Sequence, residues 1–261
     1  MLHVNLADQY RRGSSLLHGL DPRIKTLGAL LFILTVTLLP FGKWMAYALA
    51  LIAALAAARA SGLGTGYALK RSLVALPFAL AAITLPFTVP GATLARWGAV
   101  TLTVEGALRF VSVLIKSWLS VQVALLLAVT TAFPDLLWGM RALHLPRPLI
   151  SIISFMYRYL FVLANEALRL MRARASRSGA SPTGRGGGSL LWRGRVAGGL
   201  VGNLTLRAFE RSERIYDAMT ARGFAGEIKT LTPPNLTDLD RNLLVGWVTY
   251  LGMVLLIGFV F

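Results

Sequence analysis

Side chains suited to chemistry are sparse in this 261-residue sequence, and their spacing excludes most reaction classes. The chain has no cysteine, so disulfide frameworks, zinc ribbons and fingers, thiolate nucleophiles and Cys-ligated iron–sulfur clusters are absent. Its three histidines, His3, His18 and His144, stand far apart and read as solvated or hydrogen-bonded residues. Gly62, Gly64 and Gly66 in SGLGTGY lack the Lys-Ser/Thr of a phosphate-cradling loop and lack a preceding strand, so they read as loop glycines. Neither a Gly-x-Ser-x-Gly elbow nor a His-Glu-x-x-His helix occurs. Lys116 stands two turns into an apolar stretch, where a lone cation either faces a polar cavity or snorkels to the interface. Glu105 and Arg109, four residues apart, suit a surface ion pair at a helix start. The expectation is a non-enzymatic chain that carries no metal or cofactor of its own.

The elements that must position these residues are hydrophobic helices. Of the residues 56% are hydrophobic and 15% charged, while 27 Lys and Arg against 11 Asp and Glu leave a net charge of +16. Such a chain belongs in a membrane, with its cations segregated from its apolar stretches. The N-terminal stretch lacks a hydrophobic core followed by a small-residue cleavage site and reads as mature protein. About five stretches are long and apolar enough to span, given that flanking cations let short ones snorkel. They are Ile24–Leu39, Trp44–Ala58, Leu73–Val89 with Pro77 and Pro86 inside it, Phe110–Phe133, and Leu243–Phe261. Prolines within a span free backbone carbonyls that only neighbouring protein can satisfy, so the third span is expected inside a bundle.

Cations set the orientation. Arg11, Arg12, Arg23 and Lys25 precede the first span and Arg59, Lys70 and Arg71 follow the second, against Lys43, Arg96 and Arg109 on the other side. The N-terminus is therefore expected in the cytoplasm. After four spans the chain is cytoplasmic again, and there Arg141 to Lys229 holds 15 basic and 5 acidic residues. Leu149–Arg177 has helical composition, apolar at first and basic toward its end. Ser178 to Gly188, SGASPTGRGGG, reads as a flexible loop. A second helix is expected over Val196–Ala221, where Arg207, Glu210, Arg211, Glu213, Arg214 and Asp217 fall at spacings that let opposite charges pair along its surface. Gly198, Gly199 and Gly202 would either permit close helix approach or loosen the helix start. Pro233 and Pro234 break the structure before the last span.

Two triplets mark the ends of these helices: Ala173-Arg174-Ala175 and Ala221-Arg222-Gly223. Each sets one arginine between small residues, so a partner surface can close over the backbone while the guanidinium reaches a carboxylate. An arginine followed by glycine is also a common way to end a helix. The pair, on consecutive helices of a cytoplasmic insert, resembles the paired Ala-Arg-Gly motifs of the T component of energy-coupling factor transporters. DPRIK at Asp21–Lys25, the stretch LPRPLISIISFMYRYLFVLANEALRLMRARASR and the stretch FERSERIYDAMTARGF resemble the same family, and PRPLISIISFMYRYLFVL looks most like its CbiQ subgroup, associated with cobalt uptake, with the nickel subgroup close. Ala175 departs from the pattern, which prefers glycine there.

The resemblance implies an all-α, polytopic membrane helical bundle with a cytoplasmic pair of coupling helices. Residues 1–133 would form the four-span N-terminal bundle, 134–242 the coupling region and 243–261 the last span. It implies a non-catalytic scaffold joining two cassette-type ATPases, which carry ATP and Mg, to a substrate-binding membrane S component. Arg174 and Arg222 would dock into grooves on the ATPases. Two other readings stand beside this one. A self-contained transporter would need polar residues converging between spans, and beyond Lys116 the spans offer mostly Thr, Ser and Gln122. A module binding nucleic acid or anionic lipid would explain the charge, but the insert lacks a nucleic-acid motif and positive-inside bias accounts for much of the surplus.

Overall fold

The structure, a computed structural model, describes residues 10–11, 13, 15–62, 81–97, 100–177, 189–226 and 236–260. They divide into two compact units, Asp8–Leu143 with Thr232–Phe261, and His144–Leu231. The first unit contains α1 (Leu16–Gly19), α2 (Pro22–Leu38), α3 (Trp44–Ala60), α4 (Leu85–Thr88), β1 (Thr93–Trp97), β2 (Val100–Thr103), α5 (Val104–Thr130) and α6 (Phe133–Ala142). The second contains α7 (Arg147–Arg177) and α8 (Leu190–Thr220), after which α9 (Asp238–Val260) returns to the first.

The DPRIK run is a helix start. Asp21 is the N-cap of α2, its Oδ1 accepting from the Arg23 N–H at 2.8 Å, and Pro22 supplies a first-turn residue that has no N–H to satisfy. Helix α2 is the hub of the unit, packing on α5, α6 and α9. Phe32 and Val36 of α2 are fully enclosed by Ala50, Ala53 and Ala54 of α3, Leu119 and Val123 of α5, and Leu251 of α9. The alanine-rich sequence of α3 lets these helices approach closely. Facing outward, Leu30, Leu34 and Leu38 on α2 and Met253, Leu256 and Phe259 on α9 are exposed rows of large apolar side chains. A hydrocarbon surround makes such rows favourable. The result is an all-helical membrane bundle.

Among the described residues three helices are long and apolar enough to cross a membrane: α5, α7 and α9, with α3 a shorter apolar helix. The expected first two spans match α2 and α3 to within about two residues, the usual uncertainty of helix ends. The fourth begins earlier than expected, at Val104, because Thr103 caps it: its Oγ1 accepts from the Gly106 N–H at 3.2 Å. Gly106 itself is required by close approach, since a Cβ there would lie 2.6 Å from the Leu85 carbonyl oxygen. The first eight residues of the expected third span, 73–80, lie outside the described residues, as do Pro77, the 178–188 loop and Pro233–Pro234. The second half of that span is not one continuous helix as expected: a turn at 83–84 precedes the short α4, which has Pro86 in its first turn, and the hairpin β1–β2 follows, antiparallel with Trp97 opposite Val100.

Candidate functional site

The second unit is a helix pair, and its contacts fix how the pair runs. Near the end of α7, the Arg174 guanidinium lies 6.0 Å from the Trp192 ring centroid in the first turn of α8. Midway, Glu166 of α7 pairs with Arg207 of α8 at 2.9 Å. Near the start of α7, Phe155 meets Phe224 edge-on at 6.1 Å, and the Ser151 hydroxyl donates to the Gly226 carbonyl at 3.2 Å. Partners advance along one helix as they recede along the other, so α7 and α8 are antiparallel and touch along their length.

Antiparallel pairing sends the two arginine triplets to opposite ends. Both triplets lie at helix C-termini, but Arg174 sits beside the start of α8 while Arg222 sits beside the Phe224–Phe155 contact near the start of α7. The 19 residues of α7 from Phe155 to Arg174 rise about 28 Å. Arg222 is exposed and Arg174 half-buried.

The two triplets are built differently. At the second, Gly223 takes φ +78, its N–H donates to the Thr220 carbonyl at 2.9 Å, and the Phe224 N–H donates to the Met219 carbonyl at 3.0 Å. This is the Schellman termination, in which the residue after the cap adopts a left-handed conformation suited to glycine. It ends the helix at Ala221 and Arg222 and turns Phe224 back onto α7. The first triplet lies within the last turns of α7, where Ala173, Arg174 and Ala175 are helical and the Ser176 hydroxyl donates to the Ala173 carbonyl at 2.9 Å. No left-handed residue is needed there, and alanine is the stronger helix former. The Ala175 departure thus follows from the triplet's place inside a helix.

Glu166 was not singled out by sequence reasoning. It is 8% exposed and accepts from both Arg169, on its own helix, and Arg207, on α8. It lies past the apolar first half of α7, and the Arg169 hydrogen bond, reinforced by Arg207, holds its carboxyl below the usual range against the cost of burial. Arg207, whose spacing suggested pairing along α8, reaches across to α7 instead. The available signal was Glu166 as the lone acid between Asp135 and Glu210. Helix α8 starts at Leu190, six residues before the expected Val196, because the Ser189 hydroxyl accepts from the Trp192 N–H at 3.3 Å. Cβ atoms at Gly198, Gly199 and Gly202 would meet nothing within 4 Å, so within this unit the glycines serve no close approach.

Charged residues of the first unit have structural partners. Lys116 donates to the carbonyls of Thr37, at 3.1 Å, and Leu39, and its ammonium lies 4.7 Å from the Phe41 ring centroid. It closes the C-terminal end of α2, where carbonyls lack helical partners and the dipole favours a cation. Glu105 accepts from the Ala92 N–H at 2.8 Å, an exposed bond to backbone rather than the expected pair with Arg109, whose guanidinium lies 5.8 Å from the Phe41 ring centroid. The Arg23 guanidinium covers the Trp138 ring at 4.2 Å, and the Lys25 ammonium donates to the His18 carbonyl at 3.0 Å. His18 hydrogen-bonds Ser15 at 2.6 Å, while His3 lies outside the described residues.

A helical membrane bundle and an antiparallel helix pair carrying an arginine near each end fit a membrane transport subunit. Comparison with known proteins gives the family: a model described as CbiQ, cobalt transport protein, matches residues 13–233, and the chain belongs to that family. The energy-coupling factor transporter transmembrane protein EcfT of Brevibacillus brevis is 29% identical over 268 residues, covering 99% of this chain and 98% of that one. EcfT of Macrococcus caseolyticus is 29% identical over 82% of each chain. The cobalt transport protein CbiQ of Rhodobacter capsulatus is 33% identical over 46% of each.

Proposed function

We propose that this chain is the coupling subunit of an energy-coupling factor importer. Arg174 and Arg222 each dock on one of two cassette-type ATPases, which bind ATP and Mg and hydrolyse the nucleotide. The helix pair passes their closing and opening to a substrate-binding membrane subunit. The N-terminus, the basic second half of α7 and α8 lie on the cytoplasmic side, in keeping with the cation distribution. Cobalt ion is the proposed cargo, in keeping with the family description and the name of the Rhodobacter relative.

The observation that carries this reading is the placement of the two arginines at opposite ends of one antiparallel pair. Two partner subunits need two separated contacts, and a helix length of about 28 Å separates them. Each guanidinium offers a planar fork of donors suited to a carboxylate in a groove. Transmission also needs an element with discrete packed arrangements, because a partner can bias an equilibrium only through differential contacts.

Co-purification tests the docking step. The chain is co-expressed with its ATPases and the substrate-binding subunit, as native sequence and as Arg174→Glu, Arg222→Glu and the double variant. Native chain retains both ATPases, each single reversal weakens retention, and the double variant loses it while keeping its helical circular-dichroism signal. Equal retention by all four overturns the assignment of these arginines.

A further inference from the structure

We infer that Glu166 is a positioning residue for the docking arginines, pinning α7 to α8 so that Arg174 and Arg222 are held at a fixed separation. The inference rests on the docking reading above and adds a residue outside both triplets.

The contacts described above hold the pair together along its length, and they differ in kind. The outer ones are an arginine over an aromatic ring, an aromatic pair, and a single hydroxyl-to-carbonyl bond. Ring contacts fix distance but tolerate sliding along or around the helix. The middle one is a carboxylate with each oxygen committed: Oε1 accepts from Arg207 of α8 at 2.9 Å, and Oε2 accepts from Arg169 of α7. A carboxylate clamped by two guanidiniums fixes register and rotation as well as distance, because both forks are directional. Leu163 and Leu204 line the same groove, together with Glu210, Arg211 and Arg214 of α8.

The charge pattern sets the position apart. From Ala167 to Phe209 the sequence has eight arginines and no acidic residue, and Glu166 immediately precedes this run. Without its carboxylate, Arg207 has no acid on α7 to reach, and the ion pair across the interface is lost. Removing Glu166 therefore deletes the clamp at a point about 12 Å from Arg174 along α7. The register of the two arms would loosen with both arginines intact.

The absence of native cysteine makes the test direct. Cysteines are introduced at Ser176 and Thr220 of the full complex and spin-labelled, and the label distance distribution is read beside ATPase retention. The variants are Glu166→Arg, Arg207→Glu, their combination, and Glu166→Gln. Each single reversal should broaden the distribution and weaken retention about tenfold, while the combined swap, which restores an opposite-charge pair, should recover both to within about twofold. Glu166→Gln should fall between. A double variant no better than its parents, or singles with native distances, overturns the inference, and so do broadened distances with native retention. Failure of the docking reading has a different signature: the native chain retains no ATPase while the label distances still respond to the swap.

Discussion

The backbone N–H of Asp21 donates to Oδ1 of Asp240 at 3.3 Å, joining the starts of α2 and α9 across 219 positions of sequence. Both carboxylates are buried, and each also caps its own helix. Oδ2 of Asp240 accepts from the N–H and hydroxyl of Thr237 at 3.1 and 2.7 Å, and the Thr237 hydroxyl accepts from the Asp240 N–H at 3.2 Å. This reciprocal arrangement is a capping box with one carboxylate oxygen spared for the neighbouring helix. Asp240→Ala should therefore destabilise the bundle by about 1–3 kcal/mol, combining a lost cap with an unmet buried N–H. Asp240→Asn should recover part of that. Thermal unfolding in detergent measures both.

Lys116 offers a second test, one that separates structure from transport. Its ammonium serves the last carbonyls of α2, so Lys116→Met should lower stability by about 1–3 kcal/mol. In the assembled complex, cargo affinity should stay at the native value. A change in cargo affinity larger than the loss of folded protein explains would assign Lys116 to a substrate path.

The two triplets should respond oppositely to exchange of glycine and alanine. Gly223→Ala forces an L side chain into φ +78 and should cost about 1–2 kcal/mol, with weaker ATPase retention as the end of α8 shifts. Ala175→Gly restores the residue the family pattern prefers, yet should cost about 1 kcal/mol because the position is helical. Improved retention by Ala175→Gly would contradict the account of the first triplet.

The Glu166 clamp predicts an acid limit. Its carboxyl is depressed in the folded pair, so the contribution is present above the unfolded value of about 4.3 and is lost as pH falls through the lower folded value. Label distances across α7 and α8, read with Glu210, Arg211 and Arg214 facing the same groove, should stay native through neutral and mildly acidic pH and broaden only as pH falls below the ordinary glutamate range. Glu166→Gln should remove that step.

Much of the bundle was legible because apolar runs with capping residues state their own limits. The apolar runs from Ile24 and from Trp44 place α2 and α3 within about two residues, and the Asp21 cap with Pro22 accounts for the earlier start of α2. The hairpin β1–β2 was missed because its strands are five and four residues long and lie between expected spans. The early start of α8 was missed for a different reason. Three glycines at 198, 199 and 202 read as a weak helix start, while the Ser189 cap lies outside the apolar periodicity. The arginine triplets were visible as motifs, but their separation was not. That depends on α7 and α8 running antiparallel, which follows from long-range pairs such as Phe155 with Phe224. The pairing of Glu166 was illegible for the same reason, since its partner Arg207 is 41 positions away.

The most direct measurement of the central claim is ATP-driven cargo uptake by the complex reconstituted in vesicles, with ATP hydrolysis recorded in the same sample. Native chain should give uptake that depends on ATP and on the partner ATPases. Arg174→Glu with Arg222→Glu should abolish uptake while the ATPases, assayed by themselves, hydrolyse ATP at their native rate. Uptake by this chain alone, or native uptake from the double variant, would contradict the account.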